Sequence, residues 1–158
     1  MSVIRLVWGR ATGPTPTASY DAALAAANVH NFNLITVSSV IPAEAHLEVV
    51  ETAPDLGDVG DSLTVVQGRA TRDPGDAGAA GIGWARSDSG KGIFYESSGD
   101  DAAAVGERIE QGLQAGKDLR DWMFTDEDAV VIEADPDPDA YSTVVVIAAY
   151  GKSRPILR

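Results

Sequence analysis

The sequence contains no cysteine. Disulfide bonds, thiolate metal sites and a cysteine nucleophile are therefore excluded. Only His30 and His46 could serve as imidazole ligands, so neither a zinc site of the usual kind nor a histidine relay is expected. We predict that the protein uses no metal ion.

Long apolar runs are also lacking. No stretch approaches the roughly 20 apolar residues that a membrane helix needs. The N-terminus becomes polar within a few residues, unlike a signal peptide. We therefore expect a cytoplasmic protein with no membrane partner. Its 158 residues, of which 44% are hydrophobic, suffice for one domain with a substantial core.

Cationic residues are scarce. The only lysines are Lys91, Lys117 and Lys152, and none lies in a recognisable phosphate-binding context, which disfavours a pyridoxal-phosphate enzyme. A net charge of −12 disfavours nucleic acid as a partner, because its phosphates require clustered lysine and arginine. Aspartate outnumbers glutamate by 16 to 8, and arginine outnumbers lysine by 9 to 3. This bias is typical of a salt-adapted protein, with an ordinary acidic protein as the alternative.

The apolar periodicity predicts several strands and two separated helices, hence an α+β fold with mostly antiparallel sheets. Ser19 is the expected N-cap of a short helix over residues 20–27, and a long helix is expected over 100–124. Two last strands should flank an acidic hairpin loop at 135–139, and 151–158 should form a loose basic tail. The predicted core stripe of the long helix consists of Val105, Ile109, Leu113, Gly116, Leu119 and Met123.

Two adjacent serines, Ser38 and Ser39, end an apolar run that is predicted as a strand over residues 31–39. If the chain bends there, the Ser39 hydroxyl can attack the Ser38 carbonyl and convert the amide to an ester. Elimination and hydrolysis then leave a pyruvoyl group at position 39. Asn33, on the same predicted strand face, could donate to the oxyanion. The alternative is a serine pair that satisfies backbone groups at a strand end, and the pair at 97–98 is expected in plain loop.

The segment 33–45, with its serine pair, closely resembles the processing segment of pyruvoyl-dependent arginine decarboxylases. The resemblance continues along nearly the whole chain, through residues 20–24, 92–99 and 120–122. It implies an αββα-type sandwich with two main helices, in a single domain 1–158 that is cleaved into chains 1–38 and 39–158. It also implies a homotrimer with active sites between protomers.

The same resemblance implies a function and roles for residues. Arginine would be converted to agmatine, for polyamine biosynthesis, with a covalent pyruvoyl group derived from Ser39 as the cofactor. Asp21 would bind the substrate guanidinium, Ser38 would contact the substrate, and Glu96 would be the proton donor. Phe94 and Tyr95 would give Glu96 the apolar surroundings that favour a protonated carboxyl group.

Alternatives stay open without the resemblance. Glu96 could be a solvated acid at a strand end, and Asp21 an acid in the first turn of a helix. The protein could also decarboxylate another amino acid, or be a non-cleaving binding or regulatory paralogue. The retention of Asn33, Ser39 and Glu96 together favours the enzyme.

Overall fold

The computed structural model describes residues 2–158, which form nine strands and two helices. In chain order the elements are β1 (Val3–Gly13), α1 (Pro16–Ala26), β2 (Asn33–Thr36), β3 (Val40–Ile41), β4 (His46–Glu51), β5 (Ser62–Arg72), β6 (Ala79–Ser87), β7 (Gly92–Gly99), α2 (Ala102–Asp118), β8 (Phe124–Glu133) and β9 (Tyr141–Tyr150).

The strands form two sheets that pack face to face. The five-stranded sheet has the order β2-β5-β9-β1-β4, and the four-stranded sheet has the order β3-β7-β6-β8. Within the described residues only the β1–β4 and β2–β5 pairs are parallel. Leu6 and Val146 of one sheet pack against Ile82 and Phe94 of the other, which places a hydrophobic core between the sheets.

Each helix covers the outer face of one sheet. Leu24 of α1 packs with Val65 and Ile147 of the five-stranded sheet. Ile109 of α2 packs with Ile93 of the four-stranded sheet. The layers are therefore helix, sheet, sheet and helix, which confirms the predicted α+β sandwich.

The first helix begins earlier than predicted. Thr15 is its N-cap and accepts a 3.1 Å hydrogen bond from the Ala18 amide, while Pro16 occupies the first helical position. Proline suits that position because its fixed φ is helical and its missing N–H would be unpaired there anyway. Ser19, the predicted cap, is instead buried inside the helix and hydrogen-bonds Thr143 Oγ1 at 2.7 Å.

The second helix is shorter than predicted. Asp101 caps it by accepting from the Ala104 amide at 2.8 Å. Its buried stripe consists of Val105, Ile109 and Leu113. The prediction was wrong for Leu119 and Met123, which lie beyond the helix and are 83% and 70% exposed.

The acidic proline-rich loop at 135–139 is not a hairpin. It joins β8 in the four-stranded sheet to β9 in the five-stranded sheet. A hairpin is excluded because β9 already pairs with β5 on one side and β1 on the other. The predicted pair of strands is correct, but each belongs to a different layer.

The start of the basic tail is held in place, unlike the loose tail predicted from residue 151. The Ser153 amide donates to Leu56 O at 2.8 Å, and Arg154 exchanges backbone hydrogen bonds with Ser62. Residues 155–158 are exposed. Within the part of the chain that the structure describes, no helix is long and apolar enough to span a membrane.

Candidate active site

The serine pair lies where the chain crosses from one sheet to the other. β2 ends at Thr36 in the five-stranded sheet, and Val40 begins β3 at the edge of the four-stranded sheet. The prediction of one strand over 31–39 was therefore correct only for Asn33–Thr36. Because the chain leaves the sheet, Asn33 and Ser39 do not share a strand face.

Backbone strain is concentrated at Ser39. Its φ is +27°, and it is one of three non-glycine residues with positive φ within residues 2–158. Its amide also donates to Val37 O at 3.1 Å, which closes a tight turn centred on Ser38. A non-glycine residue in this region costs on the order of 1–3 kcal/mol. The strained residue is therefore the one that supplies the nitrogen of the Ser38–Ser39 peptide bond.

The second serine pair has none of this strain. Ser97 and Ser98 lie in β7, opposite Gly81 and Ala80 of β6, so the predicted loop was wrong. Neither serine has a positive φ. The dipeptide is the same in both places, and the backbone conformation distinguishes them.

Two hydrogen bonds hold the residues that follow the Ser38–Ser39 bond. The Phe94 amide donates to Ser39 O at 2.8 Å, and the Tyr150 hydroxyl donates to Val40 O at 2.8 Å. Burial raises the pKa of Tyr150 to about 12, so its hydroxyl stays a donor at ordinary pH. Ser39 and Val40 are thus fixed by partners other than the residues before them.

Glu96 is brought directly to the serine pair. The Ser39 hydroxyl donates to Glu96 Oε2 at 3.2 Å. Phe94, two residues earlier on the same strand face, is buried between the sheets, whereas Glu96 is exposed. Tyr95 points to the other face, towards Gly112 of α2. One protomer therefore does not supply the full apolar cover that was predicted around Glu96.

Asn33 and Asp21 are not brought to Ser39 within one protomer. The Asn33 side chain donates to Gly60 O at 2.8 Å, at the far end of β2. Residues Asn33 to Thr36 rise by roughly 10 Å along β2, and the chain then turns at Ser38. Asp21 is exposed on α1, which packs on β1, β5 and β9 at the opposite outer face.

The structure rejects one alternative for Asp21. It is the sixth residue of α1, which has no acidic residue in its first turn. A role as a helix-dipole partner at the N-terminus is therefore excluded. Among residues 2–158, no ion pair involves Asp21.

A cleft of about 470 Å³ opens beside the serine pair. Ser38 and Ser39 form one wall, β7 contributes Tyr95, and the end of α2 contributes Gly116 and then Arg120. The larger cavity, of about 710 Å³, lies beside Arg5 and Arg154 and is lined by neither Ser38 nor Ser39. We assign the smaller cleft as the candidate active site because it is lined by the serine pair, although the other cavity has the larger volume.

The sequence analysis missed Tyr150 and gave Arg120 no role. Tyr150 is at the end of an apolar strand, and its hydrogen bond to Val40 spans 110 residues of sequence. No local sequence pattern predicts a contact between residues so far apart in the chain. Among residues 2–158 the structure shows no group of three or more histidine, aspartate or glutamate side chains suited to a metal ion.

Comparison with known proteins identifies the family of this chain. Residues 3–155 match the sequence profile of pyruvoyl-dependent arginine decarboxylases. This chain belongs to that family. A pyruvoyl-dependent arginine decarboxylase of Halobacterium salinarum is 48% identical over 158 residues, covering 99% of this chain and 98% of the relative. The relative from Thermococcus kodakarensis is 32% identical over 89% of this chain and 90% of its own length.

The more distant relative from Methanocaldococcus jannaschii bears the same name. It is 27% identical over 136 residues, which cover 84% of this chain and 80% of that protein. The similarity to the Halobacterium protein supports the predicted salt adaptation.

The family implies a covalent pyruvoyl group, and the residues at the site fit it. Ser39 has the side chain from which such a group forms, and its carbonyl oxygen already accepts from the Phe94 amide. The open cleft gives a substrate amine access to position 39. The carboxylate of Glu96 lies within hydrogen-bond distance of the same side chain.

Proposed function

We infer that this protein decarboxylates L-arginine to agmatine and carbon dioxide, and we propose that it first cleaves itself between Ser38 and Ser39. The single observation that supports self-cleavage best is the strained φ of +27° at Ser39, next to a hydroxyl that Glu96 orients at 3.2 Å. Membership of the family supports arginine as the substrate.

The atoms and electrons of the proposed self-cleavage balance without any added cofactor. The Ser39 Oγ attacks the Ser38 carbonyl carbon, the peptide C–N bond breaks, and the Ser39 nitrogen takes a proton to become an amine. The Ser39 Cα then loses its proton, the Cβ–O bond breaks, and Ser38 leaves as a carboxylate. Hydrolysis of the remaining dehydroalanine consumes water, releases ammonia and leaves the pyruvoyl group. The products are chains 1–38 and 39–158.

Asn33 is proposed to stabilise the oxyanion formed on the Ser38 carbonyl. In one protomer its amide is occupied by Gly60 O, so this role stays a prediction. Glu96 is the nearer group, and it can accept the proton of the attacking hydroxyl.

A pyruvoyl group at position 39 would supply an electron-withdrawing ketone for the decarboxylation. The Phe94 amide would support this, because it donates to the carbonyl oxygen of residue 39, next to the ketone. Glu96 would then return a proton to the α-carbon. Tyr150 holds Val40 in place and so fixes the direction of the reactive group.

We propose that the active site lies between protomers. Glu96 lies beside Ser39 of its own chain, whereas Asp21 is exposed on α1, in the outer layer against the other sheet. Two different surface patches that complement each other form a heterologous interface, which gives a ring when the rotation between protomers closes. We propose, from the resemblance to the family, that this ring is a homotrimer.

Asp21 of a neighbouring protomer would select arginine. A carboxylate accepts a guanidinium through two parallel hydrogen bonds, whereas an ammonium is only a point charge to it. Loss of a desolvated charge pair costs about 2–5 kcal/mol, which is roughly a 30- to 5,000-fold change. Lysine and ornithine should therefore be poor substrates.

Intact-mass measurement of the purified protein tests self-cleavage. We expect chains 1–38 and 39–158, the larger lighter by one ammonia than simple hydrolysis would leave. Ser39→Ala should stay whole and inactive, while Ser98→Ala, in the unstrained serine pair, should cleave as wild type does. Full decarboxylase activity from an uncleaved chain would refute the proposal.

Co-expression of two inactive variants tests the shared site and the role of Asp21. Asp21→Asn should cleave normally but lose about 30- to 5,000-fold in kcat/KM for arginine. Mixed assemblies of Asp21→Asn with Ser39→Ala should regain activity, because some sites then combine an intact Asp21 with an intact pyruvoyl group. Activity no greater than that of Asp21→Asn alone would place both residues in one chain. Carbon dioxide release from arginine, lysine, ornithine, histidine and aspartate decides the substrate.

A further inference from the structure

Arg120 is the one cationic residue that lines the cleft beside the serine pair. It directly follows α2 and its C-cap Leu119, and it is half-buried. The cleft brings it to the same space as Ser38 and Ser39, although 81 residues separate it from Ser39 in sequence. Neither self-cleavage nor decarboxylation, as described above, uses it.

The guanidinium of Arg120 is held in one orientation, but it forms no ion pair among the described residues. Its Nη1 donates to Gly116 O at 2.8 Å, and its Cζ lies 5.5 Å from the centre of the Trp122 ring. Among the ion pairs of residues 2–158, none involves Arg120. This is unexpected in a chain with 24 acidic residues and only 12 lysines and arginines. Five N–H donors are available on a guanidinium, and one is accounted for.

Self-cleavage would create an anion in this cleft. When the Ser39 Cβ–O bond breaks, the bonding electrons stay with the Ser38 carboxyl oxygen, and residue 38 gains a full negative charge. We propose that Arg120 binds this carboxylate, stabilising it as it leaves Ser39 and holding it afterwards as the new C-terminus. The inference rests on the proposed self-cleavage.

The substrate carboxylate is a less suitable partner for Arg120. That carboxylate loses its charge as carbon dioxide forms, so a cation bound to it would stabilise the ground state more than the transition state. The Ser38 carboxylate gains charge in its own transition state. The same cation therefore accelerates the elimination and would slow the decarboxylation.

The test follows cleavage over time after induction, in Arg120→Met, Arg120→Lys and the control Arg108→Met. Arg108 is on α2 and donates to Ser98 O and Ser97 Oγ, but it is outside the cleft. Samples are denatured with and without hydroxylamine, which splits an ester but not an amide, and their intact masses are measured. Melting temperatures of all variants check the fold.

We expect Arg120→Met to cleave about 10- to 100-fold more slowly, the weight of one charged hydrogen bond, while the ester accumulates as hydroxylamine-cleavable protein. Arg120→Lys should recover part of the rate, and Arg108→Met should match wild type. Slow cleavage with no trapped ester would show a merely structural role and overturn the inference. Wild-type cleavage with a raised KM for arginine would assign Arg120 to the substrate and also overturn it.

The result for the wild-type chain distinguishes a failure of this inference from a failure of the proposed function. If the wild-type chain stays whole, the proposed self-cleavage fails and the role of Arg120 fails with it. If the wild type cleaves and Arg120→Met cleaves at the same rate without trapped ester, only the role of Arg120 is refuted.

Discussion

At the scale of single residues, backbone conformation distinguishes the serine pair that we propose to cleave from the other pair. Ser39 has a positive φ and an acid at its hydroxyl, whereas Ser97 and Ser98 are ordinary strand residues. The proposal of Ser38 and Ser39 as the cleavage site came from the resemblance of the sequence to a family and stays a prediction. The strain itself, and the distance between Glu96 and Ser39, depend on the crossing between sheets and could not be predicted.

One substitution, Glu96→Gln, can distinguish a role of Glu96 as proton donor from a role in self-cleavage. If Glu96 mainly protonates the α-carbon, Glu96→Gln should still cleave, because Ser39 keeps its strained backbone. Turnover should fall by about 10²- to 10⁴-fold, the usual weight of general acid catalysis. Intact mass reports cleavage, and carbon dioxide release reports turnover.

Glu110→Gln, an exposed acid on α2, is the matched control and should change neither quantity. Near-normal turnover in cleaved Glu96→Gln would remove Glu96 from the mechanism. Failure of Glu96→Gln to cleave would assign the carboxylate to the attack of Ser39 as well, since it accepts from that hydroxyl.

At the scale of helices and strands, periodicity predicted which residues are buried better than which strands pair. The stripe Val105, Ile109 and Leu113 is correct, because a 3.6-residue period is a local property. That β8 and β9 belong to different sheets cannot be predicted from local sequence, because it depends on the pairing of β9 with β1 and β5.

Gly83 lets α2 approach the four-stranded sheet. A Cβ atom there would overlap Ile109 and lie 3.0 Å from Leu113 Cδ1, both fully buried. Gly83→Ala should therefore lower the free energy of unfolding by about 1–3 kcal/mol, the usual cost of overpacking. Urea denaturation measures it.

Gly106→Ala is the matched control on the same helix. Nothing lies within 4 Å of a Cβ atom at Gly106, so alanine should raise the free energy of unfolding by about 0.5–1 kcal/mol through helix propensity alone. Equal effects of the two substitutions would mean that packing between α2 and the sheet does not require glycine at position 83.

At the scale of the whole molecule, acidic charge is largely unpaired. Of the 24 acidic side chains, only Glu48, Asp100 and Glu127 lie within 4 Å of a cationic nitrogen among the described residues. The other acids repel one another across a small protein. Composition alone predicted this surface, whereas a cytoplasmic location and a trimer stay predictions.

Salt should stabilise both the fold and the assembly. Molar KCl shortens the screening length to about 3 Å, which removes most repulsion between exposed carboxylates. We expect the melting temperature, the trimer fraction and the activity to rise together from dilute buffer to concentrated KCl. Thermal unfolding and sedimentation measure the first two.

The Ser39→Ala chain is the control: it has the same side-chain acids and bases, so its melting temperature should rise equally if salt acts on the folded surface and not on cleavage. A melting temperature and trimer fraction that are the same in both buffers would contradict the salt adaptation inferred from the acid-rich composition.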